Sequence, residues 1–171
     1  KWLDKLPPAE GGGETIEHVS FEKTTYNVLP YKFEAGTPNY VGSYAFGKAI
    51  DYMQEIGLEN IASYENDLAK YIEQQLSTLP NIHVYATNQP KAGAISFNVY
   101  REDGTLIHPF DVGVLLDRQG VAVRTGHHCA EPLIDHLQVP GTVRASVAMY
   151  NTKEDIDTFI TALKKAIMMF L

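Results

Sequence analysis

The residues best suited to chemistry lie in one short segment that ends at the only cysteine of the chain. The segment Arg124–Cys129 places a thiol directly after two imidazoles, those of His127 and His128, and five residues after a guanidinium. Positive neighbours favour the thiolate, which is the nucleophilic form of cysteine. An isolated cysteine is also commonly a small buried hydrophobic residue. From composition alone, both interpretations of Cys129 stay open.

The two histidines raise the question of a metal site. His127, His128 and Cys129 are consecutive, so their side chains cannot easily converge on one ion. The sequence here lacks both the paired two-residue gaps and the i, i+4 spacing that are typical of zinc ligands. We therefore predict no metal, and a hydrogen-bonded structural role remains the alternative to catalysis for each histidine.

Arginine is scarce, and two of the four arginines lie close to Cys129 or on a polar strand face. The four are Arg101, Arg118, Arg124 and Arg144. A planar guanidinium binds a carboxylate through two parallel hydrogen bonds, which suits an amino-acid substrate. The alternative for each arginine is a salt bridge to one of the 21 acidic residues.

The elements that must position these residues follow from the hydrophobic pattern. Residues 1–40 are rich in proline and glycine and are predicted to be loop. Helical spacing predicts helices over 41–56, 58–79 and 109–119, and a last helix that follows Thr152 as its N-cap, with Asp155 three positions on. Strands are predicted over 82–86, 94–99, 121–124 and 142–147, with 88–91 connecting the first two. This order predicts an α+β fold with a small, mostly antiparallel sheet covered by helices.

Composition limits the classes of function. The formal net charge of −7 argues against a nucleic-acid or anionic-membrane surface. No apolar run reaches the roughly 18 to 20 residues that span a bilayer. A single cysteine cannot form an internal disulfide, so no oxidising compartment is implied. We predict a cytoplasmic protein.

Four motifs, in order and spacing, resemble those of one enzyme family. The motifs are Phe33–Asn39, His108–Gly113, Val123–Ala130 and Arg144–Thr152. Together they resemble the carboxyl-terminal portion of the group II, or SUF-type, cysteine desulfurases of the class V aminotransferase family. The resemblance implies the small domain of pyridoxal 5'-phosphate (PLP) fold type I, preceded by a loop-rich segment and a helix of the large domain.

The resemblance implies a role for individual residues. Cys129 matches the cysteine that takes sulfur from a cofactor-bound cysteine, leaving alanine and a persulfide. Arg144 matches the arginine that binds the substrate carboxylate, and Arg124 a second active-site arginine. Thr37 matches a residue that reaches the cofactor phosphate across a homodimer interface. His127 and His128 could assist proton transfer. The implied partners are L-cysteine and a sulfur-acceptor protein for iron–sulfur cluster assembly.

The chain departs from the family in one respect. No lysine occupies the Ser/Thr-x-His-Lys type motif that carries the cofactor. We therefore expect a fragment, with residues 1–57 a remnant of the large domain and 58–171 the small domain, which lacks PLP and is inactive alone. A selenocysteine lyase and a non-catalytic docking module for a sulfur acceptor remain the alternative functions.

Overall fold

A computed structural model describes residues 1–87 and 89–170 of the chain. The chain divides into two compact units, Lys1–Glu55 and Ile56–Leu171. Asn88, predicted to begin the connection between two strands, and Leu171, the last residue of the predicted small domain, lie outside the described residues. The predicted domain boundary after residue 57, with its assignment to a large and a small domain, stays a prediction.

The amino-terminal unit contains a short hairpin where the sequence predicted only loop. Strand β1 (Ile16–Val19) pairs antiparallel with β2 (Thr24–Tyr26). The backbone N–H of Asn27 donates to the carbonyl of Thr15 and extends the pairing by one residue at the open end of the hairpin. Strands of three and four residues are too short to show a clear alternation, so the pattern of the sequence could not reveal them. A 3-10 turn, Tyr31–Phe33, follows.

Helix α1 (Tyr40–Ile56) begins at a side-chain cap and buries none of its residues. The Asn39 Oδ1 accepts a hydrogen bond from the backbone N–H of Gly42 at 2.9 Å, which satisfies one of the free donors of the first turn. The helix agrees with the predicted range 41–56 to within one residue.

The carboxyl-terminal unit is built on a four-stranded antiparallel sheet in the order β3-β4-β6-β5. Its strands and helices, in chain order, are α2 (Leu58–Ser77), β3 (Ile82–Val84), β4 (Ala94–Val99), α3 (Pro109–Asp117), β5 (Arg124–Gly126), α4 (Glu131–Leu137), β6 (Thr142–Ser146) and α5 (Lys153–Met168). Helices α2 and α3 contact the strands, and α5 packs against both helices. The predicted small antiparallel sheet with helical cover is thereby confirmed.

One continuous hydrophobic core lies between the sheet and the helices. The helix α2 contributes apolar residues at helical spacing, and β4 contributes alternate residues because successive side chains of a strand point to opposite faces. The largest fully buried side chains of the core are Phe97, Leu68, Ile72, Leu76, Ile95, Leu116 and Leu163.

The start of α5 confirms the predicted cap. Thr152 Oγ1 accepts from the backbone N–H of Asp155, and the Asp155 carboxylate accepts from the backbone N–H of Thr152. These reciprocal bonds form a capping box. The hydrogen bond from the Thr152 backbone N–H to the carboxylate, followed by that from Asn151, holds the pKa of Asp155 below its ordinary value.

The strand predicted over 121–124 was placed too early. The paired residues are Arg124–Gly126, opposite Thr142–Arg144 of β6. Val121 instead continues the end of α3, since its backbone N–H donates to the carbonyl of Leu116. Val121 and Val123 pack against the core without strand pairing, so hydrophobic contact, not sheet formation, explains their pattern.

Candidate functional site

The face of the sheet opposite the core carries the two predicted arginines as a cross-strand pair. Arg124 of β5 lies directly opposite Arg144 of β6, and directly opposed residues share a face. Val143 and Ala145, on the other face of β6, are buried in the core. The register of β5 with β6 therefore brings two guanidinium groups to one polar surface.

These two arginines form an unusual pair because like charges directly opposite each other are destabilising. Within the described part of the carboxyl-terminal unit, neither guanidinium forms an ion pair with a carboxylate. Arg144 Nε is buried and has no hydrogen-bond partner among the described residues. An anionic ligand would relieve both the repulsion and the unsatisfied donor, so the pair is suited to bind a carboxylate.

Cys129 is exposed and lies beside Arg124, one member of this pair. The Nη2 of Arg124 approaches the Cys129 Sγ to 3.8 Å and is a hydrogen-bond donor to the sulfur. This contact joins β5 to the loop that carries Cys129, which lies five residues after Arg124 in the sequence. A guanidinium next to a thiol stabilises negative charge on the sulfur.

The loop that carries Cys129 has an uncommon backbone. His128 and Cys129 have φ values of 56° and 58°, in the left-handed region that non-glycine residues seldom adopt. The backbone N–H of Ala130 then donates to the carbonyl of His127 at 2.9 Å, and α4 begins at Glu131. Two consecutive left-handed residues turn the chain sharply and present Cys129 at the surface.

The two predicted histidines lie in different surroundings. His128 is half-buried, and its Nε2 lies 3.1 Å from the carbonyl oxygen of Thr142 and 3.0 Å from its Oγ1. The His128 Nδ1 is buried without a partner among the described residues. His127 is exposed, and its Nδ1 lies 3.9 Å from Glu131 Oε1.

Burial lowers the pKa of His128 below its ordinary value of 6.5. The hydrogen bond with the Thr142 carbonyl opposes this shift, and nearby positive groups add to it, namely Arg144, Arg124 and His127. The imidazole is therefore held in its uncharged form more strongly than an exposed histidine.

Four predicted residues of the carboxyl-terminal unit, Cys129, Arg124, Arg144 and His128, are thus brought together by the sheet and its loop. The fifth, His127, adjoins the loop but points to Glu131. Thr37 belongs to the amino-terminal unit and is exposed. It follows Gly36, whose φ is 83° and whose backbone N–H donates to the carbonyl of Gly13.

The structure adds residues that the sequence did not single out. Thr142 is 2% exposed and holds His128. A Cβ on Gly113 of α3 would lie 2.7 Å from Thr125 Cγ2, so glycine lets α3 approach the strand that carries Arg124. A Cβ on Gly141 would lie 3.0 Å from the Cα of Gly126. Gly113 ends one recognised motif, but only the packing explains why glycine is needed there.

Across residues 1–87 and 89–170, every helix is too short or too polar to cross a bilayer.

Comparison with known proteins identifies the family of this chain. A sequence profile of the family described as "Aminotransferase class-V" matches residues 1–159. A probable cysteine desulfurase of Halalkalibacterium halodurans is 47% identical over 163 residues, which are 95% of this chain and 39% of that relative. A cysteine desulfurase of Escherichia coli O1:K1 / APEC is 46% identical over 164 residues, which again are 95% of this chain and 39% of that relative.

Solved structures show the same fold. The apo cysteine desulfurase of Thermococcus onnurineus NA1 superposes with a TM-score of 0.84 at 37% identity, over 98% of this chain and 41% of that chain. The S-sulfonic acid form of the cysteine desulfurase CsdA of Escherichia coli gives a TM-score of 0.82 at 33% identity, over 98% and 40%. The chain spans about 39% of the length of the curated relatives it matches. The resemblance identified from the four motifs is confirmed, and the chain belongs to the aminotransferase class-V family.

Proposed function

We propose that the full-length protein carrying this chain is a PLP-dependent cysteine desulfurase, which converts L-cysteine to L-alanine and retains the sulfur as a persulfide on Cys129. The observation that supports this most is the 3.8 Å approach of Arg124 Nη2 to Cys129 Sγ, on a sheet where Arg124 opposes Arg144. The carboxylate and the thiol of cysteine are only a few bonds apart. A nucleophilic thiol beside one of two paired guanidinium groups, each able to bind a carboxylate, therefore fits this substrate.

In the proposed reaction, Arg144 binds the substrate carboxylate through its guanidinium and Arg124 supports both this contact and the Cys129 thiolate. The thiolate attacks the substrate sulfur, so an S–S bond forms while the carbon–sulfur bond breaks. The electron pair of the broken bond stays on carbon, which takes up a proton and leaves as alanine. His127, which is exposed beside the loop, is our candidate for proton transfer. The sulfur remains on Cys129 as a persulfide.

The residues of this chain fit one end of PLP. When bound, the cofactor makes the substrate carbon able to accept the electron pair of the broken bond. The exposed residue Thr37 lies on the turn after Gly36. Its hydroxyl is suited to donate a hydrogen bond to the phosphate of a PLP molecule bound in the partner subunit of a homodimer. The aldehyde end needs a lysine in the motif of the family, which this sequence does not contain. We expect the 171-residue chain alone to lack PLP and to be inactive.

We further propose a role in iron–sulfur cluster assembly. Cys129 is exposed on a loop, so a persulfide there is accessible to a sulfur-acceptor protein. Persulfide formation requires a reduced thiol, which fits a cytoplasmic location.

The decisive experiment replaces the nucleophile in the full-length protein. We expect Cys129→Ser to reduce alanine formation from L-cysteine by about 10³-fold or more, because the hydroxyl is a far weaker nucleophile toward sulfur. PLP absorbance should persist. Mass spectrometry should find an added sulfur on the Cys129 peptide of the wild type alone. Arg101→Lys, on an exposed turn, is the control and should turn over at the wild-type rate.

The same assay separates the alternatives. A selenocysteine lyase would release alanine from selenocysteine with a large preference over cysteine. A docking module would keep full turnover of cysteine in Cys129→Ser. Either result would contradict the proposed function.

A further inference from the structure

The side chain of His128 ties the cysteine loop to β6. A carbonyl oxygen can only accept a hydrogen bond, so the Nε2 of His128, 3.1 Å from the Thr142 carbonyl, carries the hydrogen and donates. The Thr142 Oγ1, at 3.0 Å, is a second neighbour of the same nitrogen. The one N–H of the neutral imidazole is therefore directed to the strand.

The other ring nitrogen is poorly placed for proton transfer. With the hydrogen on Nε2, Nδ1 holds the lone pair, and it is buried without a partner among the described residues. Protonation there would bury an unpaired donor and add a positive charge close to Arg144 and Arg124, the same groups that lower the pKa of His128. In the described part of the chain, the polar neighbour of the Cys129 sulfur is Arg124, not His128.

The loop needs such an anchor because its backbone is strained. Left-handed φ values at non-glycine residues are unfavourable and persist only where the surroundings hold them. His128 and Cys129 are two such residues in succession. The tie from His128 to Thr142 acts at the first of them, directly before the nucleophile.

The strand end to which His128 is tied is itself fixed. The side-chain amide of Asn98 on β4 donates to the carbonyl of Gly141 at 3.0 Å and lies 3.1 Å from the Tyr85 hydroxyl. Asn98 is fully buried. Gly141 approaches Gly126 so closely that a Cβ would meet its backbone. A buried hydrogen bond from β4 thus holds Gly141, the residue that directly precedes Thr142.

We propose that His128 is a positioning residue, whose hydrogen bond to Thr142 fixes the left-handed loop and holds Cys129 beside Arg124. The inference rests on the proposed function for the reaction it serves. It assigns His128 a role distinct from the proton transfer that the sequence suggested.

The test compares three variants of the full-length, PLP-loaded protein. His128→Gln keeps a side-chain N–H donor of similar reach, His128→Ala removes it, and His136→Ala changes an exposed histidine of α4 as the control. We expect His128→Ala to lower kcat for alanine formation by about 10²-fold, as a misplaced nucleophile does. We expect His128→Gln to stay within about tenfold of the wild type, with the same shape of the kcat against pH profile. His136→Ala should match the wild type.

A second readout does not depend on desulfurase activity. Hydrogen–deuterium exchange of the backbone over residues 126–131 should be about five- to tenfold faster in His128→Ala, because one hydrogen bond of the loop is lost. His128→Gln and His136→Ala should exchange at the wild-type rate.

Two results would overturn the inference. One is a folded His128→Gln as inactive as His128→Ala, or one that has lost a limb of its pH profile, which would assign proton transfer to the imidazole. The other is hydrogen–deuterium exchange at the wild-type rate over residues 126–131 in a folded His128→Ala.

If His128→Ala does not fold, His128→Gln decides alone, and a loss of about 10²-fold in kcat counts against positioning. If the wild type makes no alanine from cysteine, the proposed function fails while the exchange comparison still tests the anchor.

Discussion

Residues 1–55 and residues 56–170 use their apolar side chains in opposite ways. In the first unit, all of which the structure describes, Thr15 is the only buried residue. Large apolar side chains such as Trp2, Phe21 and Tyr44 are exposed there. In the second unit, Phe97 and Leu163 belong to a continuous buried core. Similar residue types thus form a buried core in one unit and an exposed apolar surface in the other.

The difference indicates where the rigidity of the candidate site originates. Arg124, Arg144 and Cys129 are held by the sheet and the loop of the unit with the core. Residues 1–55 have a two-stranded hairpin and a helix without buried residues, and an isolated hairpin is marginally stable in water. Exposed apolar surface of this kind commonly marks contact with another protein surface. The packing of residues 1–57 on a larger domain stays a prediction.

The largest expected effect is the loss of a core aromatic. Phe97 is fully buried in β4, with its ring centroid 5.9 Å from that of Phe159. In the 171-residue chain, Phe97→Ala should lower the free energy of unfolding by about 3–5 kcal/mol, from lost burial and the cavity left behind. Urea unfolding followed by far-UV circular dichroism measures the change.

The matched control for Phe97→Ala is Phe21→Ala in the amino-terminal unit. Phe21 is 108% exposed, so its truncation removes almost no buried surface and should leave the free energy of unfolding unchanged within about 0.5 kcal/mol. A loss at Phe21 comparable to that at Phe97 would show that the first unit has a core of its own, and the contrast between the units would be wrong.

The caps of two helices test the same contrast at a smaller scale. Thr152→Ala removes the capping box of α5, which packs in the core, and should cost about 1 kcal/mol of unfolding free energy. Asn39→Ala removes the equivalent cap of α1, which has no buried residue. It should reduce helix content by circular dichroism and leave hydrogen exchange of the β4 amides unchanged. Faster hydrogen exchange of the β4 amides in Asn39→Ala would show that the stabilities of the two units are coupled.

The sequence predicted the elements of the core-bearing unit well because local pattern and tertiary packing agree there. Alternation in Ala94–Val99 and helical spacing in Lys153–Met168 both continue into the observed core. The run at residues 121–124 was misplaced since Val121 and Val123 are apolar for packing rather than for pairing. The hairpin at residues 16–26 was missed because neither strand is long enough to show a period.

The candidate site divides in the same way. Residue types and motifs pointed to Cys129 and the arginines, and the polar face of β6 could be expected from alternation. The hydrogen bond between His128 and Thr142 could not be expected from the sequence, because it depends on two left-handed residues that fold the loop back onto the strand. Nor could the need for glycine at position 113, which only the distance between α3 and Thr125 explains.

The smallest expected effect is a dependence of stability on pH that arises in the core-bearing unit. The folded pKa of His128 lies below its ordinary value of 6.5 because of burial. At pH 7.5 both the folded and the unfolded state are uncharged at this residue. As the pH falls below 6.5, the unfolded state binds the proton first, so stability is lost toward acid and regained toward neutrality. The groups that surround the ring, Arg144, Arg124 and His127, act in the same direction.

The fall in unfolding free energy of the 171-residue chain from pH 7.5 to 5.5, measured by urea unfolding, should be smaller in His128→Gln than in the wild type. His18→Gln, at an exposed position of the amino-terminal unit, should keep the wild-type fall. An equal fall in wild type and His128→Gln would mean that the half-buried imidazole of His128 does not make the stability of this unit depend on pH.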